Sequence, residues 1–298
     1  GVDLEIAPGE ALGVVGESGS GKSVTFLSVL GLVRPPGRIE AGEILFEGAD
    51  IVRLPPAALR RLRGRAMALA MQDALSALNP AFTIGTQIVE TVRTHGLAAS
   101  DAAARAQAIA LLRRVGIPSP ERRLDDYPHQ FSGGMRQRAM IAIALAGQPR
   151  LLVADEPTTA LDVTIQAQVL DLIDELREET GLAVAMITHD LGVVAERCER
   201  VMVMYAGQVV ETGPTVAVIA SPRHPYTRGL MASLPSLEEP DRPLHAIPGQ
   251  VPDLARVDAG CRFRNRCPLA IAACAGPVAL REVVPDRWSR CLRAEEVA

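Results

Sequence analysis

The sequence predicts an α/β fold with a largely parallel β-sheet, a helical subdomain and a cysteine-containing C-terminal extension. Short apolar segments rich in β-branched residues alternate with segments of helical periodicity, which is the pattern of βαβ units. A glycine-rich turn joins the first apolar segment to the first helical one. Prolines recur beyond residue 221 and four of the five cysteines lie beyond residue 260, so we expect an extended connector that leads to the extension.

The composition is that of a folded globular protein. With 298 residues and a hydrophobic content of 48%, the chain can bury one large core or two unequal ones. Its net charge of −4 indicates no basic surface for nucleic acid. Apolar runs stay short of the ~18 residues that span a bilayer, and no basic-then-apolar leader opens the chain. We therefore expect a cytosolic protein.

The N-terminal residues predict a strand from Val2 to Ile6, directly after Gly1. Because a strand begins so early and the first residue is glycine, we expect the native chain to start further upstream.

A phosphate-binding loop is predicted at the first turn. The apolar run 11–15 favours a buried strand, and the run 24–31 favours a helix closed by Gly31. Between them the chain fits the pattern G-x-x-x-x-G-K-[ST] at every fixed position, with Gly16, Glu17, Ser18, Gly19, Ser20, Gly21, Lys22 and Ser23. Backbone N–H groups and the helix dipole would bind a polyphosphate there. Lys22 would add a positive charge, and Ser23 would offer a hydroxyl to Mg²⁺.

The composition supports this interpretation over a chance glycine-rich turn. Lys22 is the only lysine among 31 basic residues, and the other 30 are arginines. An arginine fork is a poor substitute for an ammonium group that must fit among phosphate oxygens.

The remaining elements follow from periodicity. The apolar segments that predict strands are Glu43–Phe46, Met67–Met71, Leu151–Ala154, Ala183–Ile187 and Val201–Tyr205. Helices are predicted where Ile84, Ile88, Val89 and Val92 share a face, from an N-cap at Asp101 to Val115, and over residues 164–179.

Two further motifs carry chemistry. Asp155 and Glu156 end a buried strand, where the first carboxylate can hold Mg²⁺ through water and the second can polarise an attacking water. The alternative is an acidic pair that caps a helix. The Ser132-Gly133-Gly134 turn precedes a helix predicted to begin near Arg136, which offers a second anion site. Alone, such a turn is an ordinary one.

Taken together, these motifs resemble those of the ATP-binding-cassette ATPases, a family with an ABC-type P-loop NTPase core. The sequence also has the family's glutamine at Gln72, its signature over Ser132–Arg138, its Ala160-Leu161-Asp162 loop and its switch histidine at His189, in the same order and spacing.

The resemblance implies a role for each motif. Residues 16–23 would bind ATP phosphates, with Ser23, Gln72 and Asp155 serving Mg²⁺. Glu156 would be the catalytic base, and His189 would contact the γ-phosphate. Two cassettes of this family dimerise head to tail, so Ser132, Gly133 and Gly134 would complete the partner's site and Asp162 would lie at the dimer seam. A core position is the alternative for His189.

Longer segments resemble the dipeptide, oligopeptide and nickel importer branch. These are Gln72–Pro80, Tyr127–Arg138, Pro222–Gly229 and Ile247–Pro252. Ala74 departs from the branch, which commonly has proline there, and the adenine-stacking aromatic of the family would lie upstream of Gly1. The implied domains are an ATPase domain over 1–220, with core 1–72 and 150–220 around a helical subdomain at about 73–149, and an extension over 221–298.

That branch implies the ATPase subunit of a di- or oligopeptide importer. It would bind ATP and Mg²⁺, pair with an identical or sister cassette, and act with two membrane permease subunits and an extracytoplasmic binding protein, at the cytoplasmic face of the inner membrane. Import of nickel or another solute remains an alternative, as does a soluble ATPase in translation or DNA repair.

The four C-terminal cysteines indicate a metal centre. The spacing Cys261-x5-Cys267-x6-Cys274-x16-Cys291 lacks the paired C-x2-C steps of a zinc ribbon, while four thiolates suit a [4Fe–4S] cluster. Members of the branch with a cluster in this extension favour iron–sulfur, with zinc and reduced structural thiols as alternatives. The arginines expected to offset a cluster's charge are Arg262, Arg264, Arg266 and Arg290. Cys198 is expected to be a small core or surface residue.

Overall fold

The computed structural model describes residues 1–158, 161–233, 246–254, 257 and 259–297. The chain forms two compact units, each assembled from separate segments. The first unit contains residues 1–5, 11–25 and 187–298, and the second contains residues 6–10 and 26–186. Much of the predicted proline-rich connector, 234–245, lies outside the described residues. The domain boundaries inferred from the resemblance stay a prediction.

Strands and helices alternate along most of the chain. The strands are β1 (Ala11–Val15), β2 (Leu45–Phe46), β3 (Ala49–Asp50), β4 (Met67–Ala70), β5 (Leu151–Asp155), β6 (Ala183–Ile187), β7 (Arg200–Tyr205), β8 (Gln208–Pro214), β9 (Arg281–Val284) and β10 (Arg287–Ser289). The α-helices are α1 (Lys22–Val29), α2 (Pro56–Leu62), α3 (Ala74–Ala77), α4 (Ile84–Thr94), α5 (Asp101–Arg114), α6 (Pro120–Arg123), α7 (Gly133–Leu145), α8 (Val163–Thr180), α9 (Leu191–Arg197), α10 (Thr215–Ala220), α11 (Pro225–Ala232) and α12 (Ala294–Val297).

In the second unit, parallel strands bring two loops to one sheet edge. Strand β4 pairs in parallel with β5, so that Met67 lies opposite Leu151 and Ala70 opposite Ala154. Strand β6 follows β5 in the sheet. Helix α8 buries Val169, Leu172, Ile173 and Leu176. It ends at Gly181, whose φ of 68° is the left-handed conformation that glycine adopts at helix ends.

The helical part of the second unit is built from α4, α5 and α7, which pack against one another. Ile84, Ile88 and Val92 are fully buried, as their spacing predicts. The predicted cap at Asp101 is wrong by one residue. The Ser100 side chain accepts the hydrogen bond from the Ala103 N–H at 3.2 Å, because Ser100 has the extended backbone that an N-cap requires.

In the first unit, core strands and extension strands form one continuous run of pairings. Strand β1 pairs in parallel with β7, and β7 pairs antiparallel with β8. Strand β10 then pairs antiparallel with both β8 and β9. The C-terminal extension therefore adds strands directly to β8. Cys198 is a buried core residue beside β1.

Two findings complete the fold. The strand predicted over Val2–Ile6 is wrong, because residues 1–7 form no strand and pair with none in the described chain. Among the described helices, none combines the length and the apolar character needed to cross a bilayer.

Candidate active site

The predicted phosphate loop, residues 16–23, connects β1 to the start of α1. The Lys22 side chain folds back along this loop, and its Nζ donates to the Gly16 carbonyl oxygen at 2.7 Å and to the Glu17 carbonyl oxygen at 3.2 Å. Lys22 is only 8% exposed. The ammonium group therefore lies at the centre of the loop, where a phosphate-binding charge is required.

Gly16 has no room for a side chain. Its φ is +149°, and a Cβ built on it would lie 2.1 Å from the carbonyl oxygen of Met204 in β7. Gly19 differs, since its φ is +77° but nothing lies within 4 Å of the Cβ position. The first glycine is required by close backbone approach, and the second by conformation alone.

In the second unit, the structure brings Gln72 and Glu156 into contact. Gln72 follows β4 and Glu156 follows β5, so both come from the carboxyl ends of adjacent parallel strands. The Gln72 Nε2 donates to Glu156 Oε2 at 2.9 Å. Glu156 has a φ of 48°, an uncommon conformation for a residue with a side chain, of the kind that is found at functional sites. Asp155 is the last residue of β5.

The serine–glycine motif forms the start of α7. Ser132 is the N-cap, and its Oγ accepts from the Met135 N–H at 3.3 Å. The helix thus begins at Gly133 rather than near Arg136, because the serine cap fixes its first turn. Ser132 and Gly133 are exposed. The site at this helix N-terminus therefore faces solvent.

A second contact ties α7 to the segment after Glu156. The buried Gln137 side chain donates through Nε2 to the Pro157 carbonyl oxygen. Asp162 caps α8 by accepting from the Ile165 N–H at 3.0 Å. Thr159 and Ala160 lie outside the described residues. Ser132 and Asp162 thus cap the N-termini of α7 and α8, two helices of the second unit.

His189 belongs to the first unit, between β6 and α9, and is exposed. The alternative of a buried core histidine is therefore wrong. Its neighbour Asp190 caps α9 by accepting from the Gly192 N–H at 2.8 Å, and Thr188 Oγ1 accepts from the Asp190 N–H at 3.0 Å. This capping fixes the main chain on either side of the histidine.

Sequence patterns gave no indication of two residues that contact the phosphate loop. Tyr226 Oη accepts a hydrogen bond from the Glu17 N–H at 2.8 Å. Arg266 pairs with the Glu17 carboxylate through two bonds of 2.8 and 3.1 Å. These residues lie 209 and 249 positions from Glu17, which is too far for spacing to reveal a contact.

The four C-terminal cysteines line one cavity, which we call the four-cysteine cavity, defined by Cys261, Cys267, Cys274 and Cys291. Burial raises the pKa of the Cys261 and Cys267 thiols, and it raises the pKa of Cys291 to about 11. Over the described part of the chain, no three His, Cys, Asp or Glu side chains come close enough to hold a single metal ion. These described residues therefore give no support of their own for the predicted metal centre, whether a [4Fe–4S] cluster or zinc.

The arginines expected to offset a cluster's charge divide into two pairs. Arg264 and Arg290 line the four-cysteine cavity, and Arg293 joins them. Arg262 instead donates to the Ala206 carbonyl oxygen, and Arg266 pairs with Glu17. Arg262 and Arg266 therefore do not line the cavity, and the charge compensation expected of these arginines stays a prediction.

Comparison with known proteins agrees with the motifs. The family model described as "ABC transporter" matches residues 1–159, and that of the "oligopeptide/dipeptide transporter, C-terminal region" matches residues 210–274. A Brucella abortus (strain 2308) protein, named provisionally as a peptide import ATP-binding protein, is 50% identical over 97% of this chain and 87% of its own length. A Sinorhizobium fredii protein, named provisionally as a peptide ABC transporter ATP-binding protein, is 50% identical over 100% of this chain and 89% of its own.

Solved structures show the same relationship. A dimeric ATP-binding cassette in a post-hydrolysis state, bound to ADP and Pi, is 29% identical, with a TM-score of 0.65 over 72% of this chain and 89% of that one. The cbiO1 protein of Clostridium perfringens, part of the cbiONQ ABC transporter complex, is 27% identical, with a TM-score of 0.63 over 73% of this chain and 82% of its own. With its motifs, its fold and these matches over most of its length, the chain belongs to the ABC transporter family of ATP-binding proteins.

Proposed function

We propose that this chain is the ATP-hydrolysing subunit of an importer for di- or oligopeptides. The observation that carries the ATPase assignment is the contact between Gln72 and Glu156 at the ends of two parallel strands. The peptide assignment is supported by the match of residues 210–274 to the oligopeptide/dipeptide transporter region and by the names of the relatives.

The site residues take the roles that the family implies. Residues 16–23 bind the phosphates of ATP, and His189 contacts the γ-phosphate. The hydroxyl of Ser23, the amide oxygen of Gln72 and the carboxylate of Asp155 are the oxygen ligands that suit Mg²⁺, which would neutralise phosphate charge when bound. Ser132, Gly133, Gly134 and Asp162 serve the site of the second cassette in a head-to-tail dimer.

Hydrolysis depends on Glu156. Its carboxylate accepts a proton from the attacking water, and Gln72, 2.9 Å away, holds that carboxylate in place. ATP binding closes the two cassettes, and hydrolysis releases them. This cycle would drive two membrane permease subunits at the cytoplasmic face of the inner membrane, with cargo delivered by an extracytoplasmic binding protein.

The test is the ATPase rate of the full chain, assembled with its membrane partners in lipid. The binding protein would be supplied empty, loaded with peptides or loaded with a nickel complex. We expect strong stimulation by the peptide-loaded form alone. Stimulation by nickel complex alone would overturn the cargo assignment, and indifference to every loaded form would overturn the importer assignment and favour a soluble ATPase.

We also propose that Cys261, Cys267, Cys274 and Cys291 hold a [4Fe–4S] cluster, which would supply one-electron chemistry when bound. The support is that the four cysteines line one cavity, together with Arg264 and Arg290. We expect iron and acid-labile sulfide in protein purified without oxygen. Zinc alone, or neither metal, would contradict the proposal.

A further inference from the structure

We propose that Arg266 and Tyr226 of the C-terminal extension are positioning residues for the phosphate loop. By holding Glu17, they keep a carboxylate from opposing bound phosphates and thereby set the affinity for nucleotide. The inference rests on the proposed use of residues 16–23 for ATP phosphates.

Glu17 lies inside the phosphate loop and is held at three points. Its N–H donates to Tyr226 Oη at 2.8 Å, its carbonyl oxygen accepts from Lys22 Nζ at 3.2 Å, and its carboxylate pairs with Arg266. The Ser20 N–H also donates to the Glu17 carbonyl oxygen at 3.1 Å. The Gly16 carbonyl oxygen, which accepts from Lys22 Nζ at 2.7 Å, belongs to the same peptide unit as the Glu17 N–H. The extension therefore fixes a peptide unit that Lys22 contacts.

The Arg266 guanidinium is itself rigidly placed. Besides its two bonds to Glu17, it donates from Nη1 to Tyr205 Oη at 3.2 Å, from Nη2 to the Ile247 carbonyl oxygen at 3.2 Å and from Nε to the Pro248 carbonyl oxygen at 2.8 Å. These bonds use every N–H donor of the group. The Arg266 side chain is 7% exposed and that of Glu17 is 26% exposed. Water thus screens this pair less than it screens a surface pair.

Aromatic rings hold the two positioning residues together. The Tyr205 and Tyr226 ring centroids are 4.6 Å apart, and Phe263 lies 5.2 Å from Tyr205 and 5.4 Å from Tyr226. The Arg266 guanidinium lies 5.7 Å from the Tyr205 ring and 5.8 Å from the Phe263 ring. Tyr226 and Tyr205 are fully buried. Because these contacts are packed and directional, Arg266 cannot leave Glu17 without disturbing them.

The electrostatic consequence for nucleotide is direct. An unpaired carboxylate in a phosphate loop repels the polyphosphate, whereas a two-bond arginine pair cancels its charge. Removing Arg266 should therefore weaken nucleotide binding, and removing the Glu17 charge as well should restore much of it. A residue that only stabilises the extension would show no such rescue.

The experiment measures the dissociation constant for ADP with the full chain and its variants Arg266→Met, Glu17→Gln and the double variant, together with KM and kcat for ATP. We expect Arg266→Met to weaken ADP binding about tenfold, within the range of typical coupling between sites. KM for ATP should rise by a similar factor. The kcat at saturating ATP should change less than about twofold, since Arg266 is a positioning residue and not one of the proposed catalytic residues. The double variant should bind ADP clearly more tightly than Arg266→Met alone.

Three further variants are needed to interpret the ADP-binding results. Arg281→Met removes an exposed pair with Glu295 in the same extension and should leave ADP binding unchanged. Tyr226→Phe keeps the ring but loses the acceptor for the Glu17 N–H, so it should weaken ADP binding even if Arg266→Met fails to fold. Lys22→Ala tests the loop itself.

The results separate this inference from the proposed function. If Lys22→Ala abolishes ADP binding while Arg266→Met and Tyr226→Phe bind like the wild type, the positioning role is wrong and the loop assignment stands. If the effects of Arg266→Met and Glu17→Gln simply add, the positioning role is also wrong. If Lys22→Ala binds ADP normally, the loop assignment itself fails.

Discussion

Lys22 shows how one residue can carry a functional signal. The chain uses arginine at every other basic position, and the structure shows why this one differs. The ammonium group is buried and lies between the carbonyl oxygens of Gly16 and Glu17. A guanidinium group is larger and planar, so it cannot take the same place inside the loop.

We predict that Lys22→Arg weakens ADP binding at least about tenfold although it preserves charge, because the planar group cannot enter the loop. Isothermal titration with ADP measures the effect, and a thermal melt checks that the fold survives. Binding equal to that of the wild type would show that charge alone is sufficient.

A second residue-scale prediction concerns Glu156, the proposed catalytic base. Glu156→Gln should lower ATP turnover by about 10²–10⁴-fold, the usual contribution of general base catalysis. Nucleotide binding should persist, so a stable ATP-bound dimer should appear on size exclusion. The matched control is Glu179→Gln on the exposed Arg114 pair. If Glu156→Gln turned over ATP within about twofold of that control, Glu156 would not be the base.

At the scale of elements, close backbone approach decides which glycines are required. We predict that Gly16→Ala impairs both folding and nucleotide binding, since its Cβ would strike the main chain of β7. Gly19→Ala should cost only the conformational strain of roughly 1 kcal/mol. Urea unfolding and ADP titration of the two variants measure the difference. Equal effects would mean that conformation, and not contact with β7, explains both positions.

The pairing of β8 with β10 rests on a buried charge pair. Arg287 Nη2 donates to Glu211 Oε1 at 3.0 Å, and the carboxylate also accepts from the N–H groups of Arg223 and His224 at 2.7 and 2.9 Å. Both side chains are almost fully buried, at 7% and 0% exposed. Burial raises the pKa of Glu211 despite these partners.

Arg287→Met should therefore lower the free energy of unfolding by about 3–5 kcal/mol, because it leaves a buried carboxylate without its counter-charge. Loss of the arginine raises the pKa of Glu211 further. The folded variant then holds this proton at pH values where the unfolded chain releases it, so stability is gained as the pH falls and lost as it rises through the raised pKa. Urea unfolding at pH 5 and pH 8 should show the larger loss at pH 8, and Glu211→Gln in the same chain should remove that difference.

How well each strand could be predicted depends on whether its buried residues are apolar or charged. Strands β1, β5, β6 and β7 are almost entirely buried and therefore appear as continuous apolar runs. Strands β8 and β10 contain Glu211 and Arg287, which resemble surface charges until their pairing is seen. The Val2–Ile6 prediction is wrong because a strand also needs a neighbouring strand to pair with. A local apolar pattern does not reveal whether such a neighbour is present.

The candidate site was predictable where its residues lie on local motifs. The loop 16–23 and the Asp155-Glu156 pair each follow from a strand or helix end in the sequence. The serine–glycine turn was predicted to precede a helix, but the cap at Ser132 was not, and the helix begins earlier than predicted. The contact of Gln72 with Glu156 was not predicted, because it depends on the parallel pairing of β4 with β5. The support of Glu17 by Arg266 and Tyr226 could not be predicted, since it depends on how distant segments fold together.

At the scale of the whole molecule, the extension is not a separable addition. Strand β10 covers β8, whose Glu211 is buried against Arg287. We predict that residues 1–220 alone will aggregate or melt far below the full chain, because the cut leaves an open strand edge and a buried unpaired carboxylate. Circular dichroism and size exclusion measure this. A soluble, cooperatively folding 1–220 fragment would show that the core needs no extension.

During synthesis on the ribosome, Glu17 is made well before the residues that support it. The chain is made from its N-terminus, and Arg266 follows Glu17 by 249 residues. At roughly 5–20 residues per second, the arginine is added about 10–50 s after the glutamate. During that interval the nascent loop carries an unpaired carboxylate. On the role proposed for Arg266, a growing chain therefore reaches its full affinity for nucleotide only after residue 266 has been added.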